Sequence, residues 1–167
     1  MIRDLARQIA TFGRFCDGVT SELTFRRGAF ETSAQILSAH SAMTLLQASS
    51  PEAQILLKLI RPQHEIKAAV GCRIQAAEKM WRVFTATEIF EFVEAVGDTN
   101  AIHRLNPPIV PALLILETLL SDRFAQVDGL KLKFRNFVTA DEPLSLVGGK
   151  KFELVSAGVR KVSGEIL

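Results

Sequence analysis

Residues 97–117 read GDTNAIHRLNPPIVPALLILE, and the rest of the chain takes its meaning from them. From Pro111 onward the stretch is apolar on all sides through Ala112, Leu113, Leu114, Ile115 and Leu116, which predicts a helix buried on every face. Proline is tolerated at the opening because the amide it lacks has no partner in a first turn. This helix is expected to run to about Ala125. In front of it Asp98, Asn100 and His103 crowd one polar turn. Before the turn, Thr85 with Glu88 three residues on is a capping-box pattern. Ile89, Phe92, Val93 and Val96 share one helical face, and Gly97 is a stop signal. The centre is therefore a helix, a polar turn and a buried helix.

Working outward, residues 70–83 read as a strand ahead of this pair, and residues 130–139, 144–156 and 159–167 as strands behind it. The first part of the chain opens with helical spacing over residues 2–16, its apolar face being Ile2, Leu5, Ile9, Phe12 and Cys16. Three strands follow at 21–31, 34–48 and 53–60, and residues 61–65 read as a linker. Helix then strands, twice over, invites a search for a repeat. Sliding residues 14–48 by 109 without a gap gives eight identities in 35 positions, among them Arg14/Arg123, Phe15/Phe124, Leu23/Leu132, Phe25/Phe134, Arg26/Arg135, Leu45/Leu154 and Ala48/Ala157. The expectation is two units: residues 1–62, a degenerate partial one of a helix and three strands, and residues 66–167, which carry the polar turn.

Composition narrows the function classes. The 167 residues are 48% apolar and 23% charged, with mean hydropathy +0.20 and a formal charge of +2, so the chain has enough apolar material for a real core and is not a disordered linker. There is no run of five basic residues and no tyrosine, which argues against a nucleic-acid partner. The longest apolar run, residues 109–116, is too short to span a bilayer, and the first ten residues are amphipathic with no signal-peptide core. A cytoplasmic protein is expected. Cys16 and Cys72 form no disulfide framework and read as small buried hydrophobes. His40, His64 and His103 are scattered, with no metal-ligand spacing, and no glycine-rich phosphate loop follows a strand. No metal or redox cofactor is expected. His40 and His64 read as structural or solvated.

The chemistry is expected in the polar turn and the helix after it. An imidazole titrates near neutrality, and a carboxylate beside it can orient it or share a water with it. That makes His103 with Asp98 a candidate acid–base pair; the plainer reading makes Asp98 and Asn100 turn caps and His103 a solvated loop residue. Glu117 falls within the apolar stripe of the second helix, where a desolvated carboxyl is a candidate proton donor. The alternative is that this face turns partly outward. The free amides after Pro111, at the positive end of a helix dipole, are placed to steady a developing oxyanion.

These residues carry a resemblance. Gly97-Asp98-Thr99-Asn100-Ala101-Ile102-His103 is similar to the turn of the MaoC-like family, the (R)-specific enoyl-CoA hydratases, with alanine at 101 where that family usually has proline. The stretch from Pro108 to Glu117 resembles the related β-hydroxyacyl-acyl-carrier-protein dehydratases, in which a histidine and a glutamate stand as far apart as His103 and Glu117; Ala112 replaces their glycine. The resemblance implies an α+β hotdog fold, an antiparallel sheet wrapped around a long central helix, here a degenerate double hotdog. It implies a hydro-lyase that dehydrates 3-hydroxyacyl thioesters, or hydrates 2-enoyl thioesters, of coenzyme A or acyl-carrier protein. Asp98, His103 and Glu117 would be its catalytic residues, and Asn100, Ala112 and Leu113 would bind substrate. The related enzymes join two such units edge to edge, as a homodimer or as two halves of one chain; with the first unit here incomplete, a homodimer that covers its exposed edge is expected. Two rival readings stay open: a hotdog acyl-thioesterase in which Glu117 activates water, and a non-catalytic acyl-binding or assembly subunit.

Overall fold

The computed structural model describes residues 1–61 and 79–167. The expected linker beyond Arg61, His64, Cys72, the boundary between the two expected units and most of the strand expected over 70–83 lie outside them. Two kinds of helix organise the rest. Helix α1 (Ile2–Ala10) buries Ile2, Leu5, Ala6 and Ile9 and turns its charges outward; each large aliphatic among them is worth about 1.5–3 kcal/mol of burial. Helix α2 (Ala86–Val96) starts on the expected capping box, with Thr85 accepting from Glu88 N–H and Glu88 bonding back, and stops at Gly97 in the left-handed conformation at φ 73°. Helix α3 (Ala112–Asp122) buries seven of its residues, on nearly all sides. It stops short of Ala125.

Around them runs one antiparallel sheet. Its strands are β1 (Val19–Arg27), β2 (Ser33–Ala39), β3 (Met43–Ser50), β4 (Ala53–Ile60), β5 (Met80–Arg82), β6 (Gly129–Phe134), β7 (Leu144–Gly148), β8 (Lys151–Ser156) and β9 (Val159–Ile166). Among the described residues the order across the sheet is β2-β3-β4-β1-β6-β9-β8-β7-β5. The pattern β2-β3-β4-β1 on one side of the β1–β6 join is the pattern β7-β8-β9-β6 on the other, each preceded in the chain by a helix, α1 or α3. The join pairs Leu23 with Leu132 and Phe25 with Leu130, all fully buried, and Lys131 reaches Glu22 at 3.0 Å across it.

Two long strands of the sequence reading are hairpins instead. Residues 34–48 break at 40–42, where His40 and Met43 exchange backbone bonds, so the first part holds four strands rather than three. Residues 144–156 break at Gly148, whose φ of 108° and close approach to Lys151 O leave no room for a side chain. The repeat at 109 holds where β1 meets β6 and then slips. The turn after β3, at 51–52, answers to the turn after β8, at 157–158, an offset of 106. Ala48 is buried in β3 while Ala157 sits in that second turn at positive φ, so Leu45/Leu154 and Ala48/Ala157 are not structural equivalents. The two arrangements match in topology more than in sequence.

Candidate active site

The polar turn is built by its own backbone. After Gly97, the Asp98 N–H returns to Val93 O at 3.0 Å, and Asp98 Oδ1 accepts the Asn100 N–H at 2.8 Å. Asn100 Oδ1 accepts the Ile102 N–H at 3.3 Å and so opens a 3-10 turn over Ala101–Arg104. The other end of the Asn100 side chain donates to Cys16 O at 3.2 Å and Gly18 O at 2.8 Å, which ties the turn to the segment entering β1. A Cβ at Gly18 would lie 2.8 Å from Ile60 O, so its absence lets this segment run close against the end of β4. Arg104 Nη2 closes the turn on Asp98 O at 3.1 Å.

This frame sets His103, which is 6% exposed. Its Nδ1 lies 2.7 Å from Ile109 O; a carbonyl only accepts, so Nδ1 carries the proton and donates. The neutral ring therefore presents a bare Nε2, and Asp98 Oδ2 stands 3.5 Å from it. That gap is too long for a good direct hydrogen bond and suits a water that donates one hydrogen to Nε2 and the other to the carboxylate. Burial holds the imidazole below its ordinary range; the Asp98 charge and the Ile109 bond oppose this shift, and Arg104 adds to it. His103 is a neutral acceptor at neutral pH.

Asp98, Asn100 and His103 line a cavity of about 310 Å³ with Ala112 and Leu113. Its other walls are largely apolar, from Ile9 of α1, Leu57 and Leu59 of β4, Phe92 of α2, Ile115 of α3, and Val138. The size and lining are those of a small-molecule site. Helix α3 starts at its wall. Leu114 and Ile115 N–H both bond to Pro111 O, while among the described residues the Ala112 and Leu113 N–H have no partner and no side chain caps this end. Two free donors and the helix dipole thus lie beside the Asp98–His103 pair.

Glu117 is elsewhere. It accepts from Arg3 Nε at 3.1 and 3.2 Å, its side chain is 31% exposed, and it lines a separate polar depression with Arg82, Glu88 and Glu91. The apolar stripe of α3 turns outward at this position and α1 supplies the counter-ion. Cys16, read as a buried hydrophobe, lines the cavity; burial first, then the charges of Asp98 and Asp17, push its thiol up to about 12. The sequence reading missed the three carbonyls that hold the site, those of Cys16, Gly18 and Ile109. Backbone acceptors leave no mark in residue identity. The self-match at offset 109 includes Leu23 and Arg26 but carries no mark of the loop at 16–18 reaching the turn.

No protein-family model matches this chain, and no curated protein does. Solved structures do. HtdX from Mycobacterium tuberculosis superposes with a TM-score of 0.64 at 14% identity over 98% of this chain and 85% of that one. The fold is a hotdog. A MaoC-like dehydratase from Phytophthora capsici matches 89% of this chain and 68% of that one, at a TM-score of 0.52 and 14% identity. The full-length peroxisomal multifunctional enzyme type 2 of Drosophila melanogaster matches at 0.54 and 13% identity, over 95% of this hotdog chain and 39% of the longer one. At such identities the likeness is one of fold. Among the described residues no helix is long and apolar enough to cross a membrane.

Proposed function

We propose that the protein is a hydro-lyase that adds water to 2-enoyl thioesters, or removes it from 3-hydroxyacyl thioesters, carried by coenzyme A or acyl-carrier protein. The observation that carries this reading is the Asp98–His103 pair, 3.5 Å apart, with the histidine locked by Ile109 O into the tautomer that leaves Nε2 bare. A water donating to Nε2 and to Asp98 Oδ2 keeps its lone pair for C3 of the enoyl chain. As the C3–O bond forms, Nε2 takes one of the water's protons, and the electron pair of the C2–C3 double bond moves toward the thioester oxygen. The Ala112 N–H steadies that oxygen. The imidazolium then gives its proton to C2, so that one water is added and the histidine ends neutral. Leu113 and the apolar walls receive the acyl chain, and Asn100 positions the turn. No metal or redox group has a role in this scheme. Glu117, outside the cavity lining, is given the contact with Arg3 and no chemical step.

In this reading residues 66–167 form the catalytic hotdog unit, and residues 1–62 a degenerate one that completes its cavity through α1 and β4. A homodimer would cover the outer edge at β2, where Leu37 is exposed and no described strand pairs beyond it.

The test is to incubate the protein with crotonyl-CoA, following the enoyl absorbance and free thiol together. Loss of absorbance without thiol release supports the hydro-lyase. Thiol release instead would make it a thioesterase, and silence in both channels would leave a binding subunit.

A further inference from the structure

Among the described residues only two fixed charges line the cavity. One is Asp98, assigned to the water; the other is Arg135, in the segment that follows β6. Three other cations, Lys161, Arg160 and Arg104, are engaged. Lys161 Nζ meets Glu142 at 2.6 Å and donates to Phe137 O at 2.9 Å, Arg160 meets Glu153 at 2.7 Å, and Arg104 is spent on Asp98 O. Among the described residues the Arg135 guanidinium has no ion pair and no hydrogen bond, and the residue is exposed. Its backbone is nonetheless fixed. The N–H groups of Arg135 and Asn136 both donate to Lys161 O, at 2.8 and 3.2 Å, and Asn136 Nδ2 donates to Arg160 O at 2.8 Å. A rigid base thus carries an unspent cation to the rim of an apolar cavity.

We propose that Arg135 is the anion subsite of this cavity and binds a phosphate of the carrier that delivers the acyl group. The inference rests on the acyl-thioester reading above and adds the part of the substrate that is recognised outside the apolar walls. A guanidinium offers a planar fork of donors that matches phosphate oxygens two at a time. An amphipathic ligand with its chain within and its anion at the mouth uses both features of the lining. The phosphate on the pantetheine arm is common to coenzyme A and acyl-carrier protein, and the nucleotide phosphates belong to coenzyme A alone.

The experiment compares the intact protein with Arg135→Gln on crotonyl-pantetheine, crotonyl-4′-phosphopantetheine and crotonyl-CoA, with Lys133→Gln, an exposed β6 lysine outside the lining, as the charge control. Arg135→Gln should raise KM about tenfold on a phosphorylated substrate, more weakly at high salt, and leave kcat and the unphosphorylated substrate unchanged. An effect already present with phosphopantetheine marks the shared phosphate; one confined to crotonyl-CoA marks the nucleotide. Equal KM for variant and wild type on all three substrates, or the same loss with Lys133→Gln, overturns the proposal. Calorimetric titration with unreactive butyryl-CoA keeps it separate from the hydro-lyase reading. Turnover with binding indifferent to Arg135 sinks the subsite alone, and Arg135-dependent binding without turnover sinks the hydro-lyase alone.

Discussion

Leu23 lies directly opposite Leu132 where β1 and β6 pair, and both are fully buried. The two are 109 residues apart in the chain, the offset at which the sequence matches itself around them. The residue and its counterpart therefore meet at the join between the two copies of one strand pattern, as they would on the two-fold axis of a symmetric pair. That join holds the cavity together, since its walls come from β4 and α1 on one side and from α2, α3 and the polar turn on the other.

Facing side chains on an antiparallel pair interact, so their removal should not be additive. Leu23→Ala and Leu132→Ala are each expected to lower unfolding free energy by about 2–5 kcal/mol. The double variant should differ from their sum by about 0.5 kcal/mol or more. Urea unfolding of the four proteins measures this, and strict additivity would place the two residues in independent environments.

Acid should silence the protein by protonating His103. Burial, the leading influence, lowers its pKa from the ordinary 6.5, so the acid limb of kcat/KM is expected below that value, with the neutral, active form filling the range above it. The Asp98 charge raises the pKa, and its removal in Asp98→Asn should carry the titration lower still. NMR of the imidazole follows this in the inactive variant; a limb above 6.5, or an upward move in Asp98→Asn, contradicts the assignment.

The thiol of Cys16, pushed up to about 12 and donating to Ile9 O at 3.0 Å, is expected to be inert at neutral pH. In a Cys72→Ser background, iodoacetamide should label Cys16 at least about tenfold faster in denaturant than in the folded protein. Equal rates would mean that the segment at 16–18 is open to solvent and does not hold Asn100.

What the sequence made legible followed from strong local signals. The all-round apolar run from Ala112, the Thr85–Glu88 box, Gly97 and the Asp98–His103 turn are each decided by neighbours in the chain, and each stands where expected. The strand breaks at 40–42 and 149–150 are not legible in the sequence for one reason: apolar residues continue on both sides of each, and alternation alone does not show where a strand folds back. Gly148 and Gly149 were the available signal at the second. For Glu117 the sequence leaves an inward and an outward face equally open, because the partner that decides between them, Arg3, is distant in the chain. The grip of Cys16 O and Gly18 O on Asn100 depends on backbone geometry across the fold, which composition does not record.

The central claim is that Asp98 and His103 act together on a water at the thioester's double bond. The direct measurement is the loss of crotonyl-CoA absorbance by wild type, His103→Ala and Asp98→Asn, each shown by circular dichroism to be folded. The account predicts turnover by wild type and a fall of about 10²–10⁴-fold in kcat for each variant, with Glu117→Gln close to wild type. Hydration that survives within fivefold in folded His103→Ala, or that collapses in Glu117→Gln alone, would contradict it.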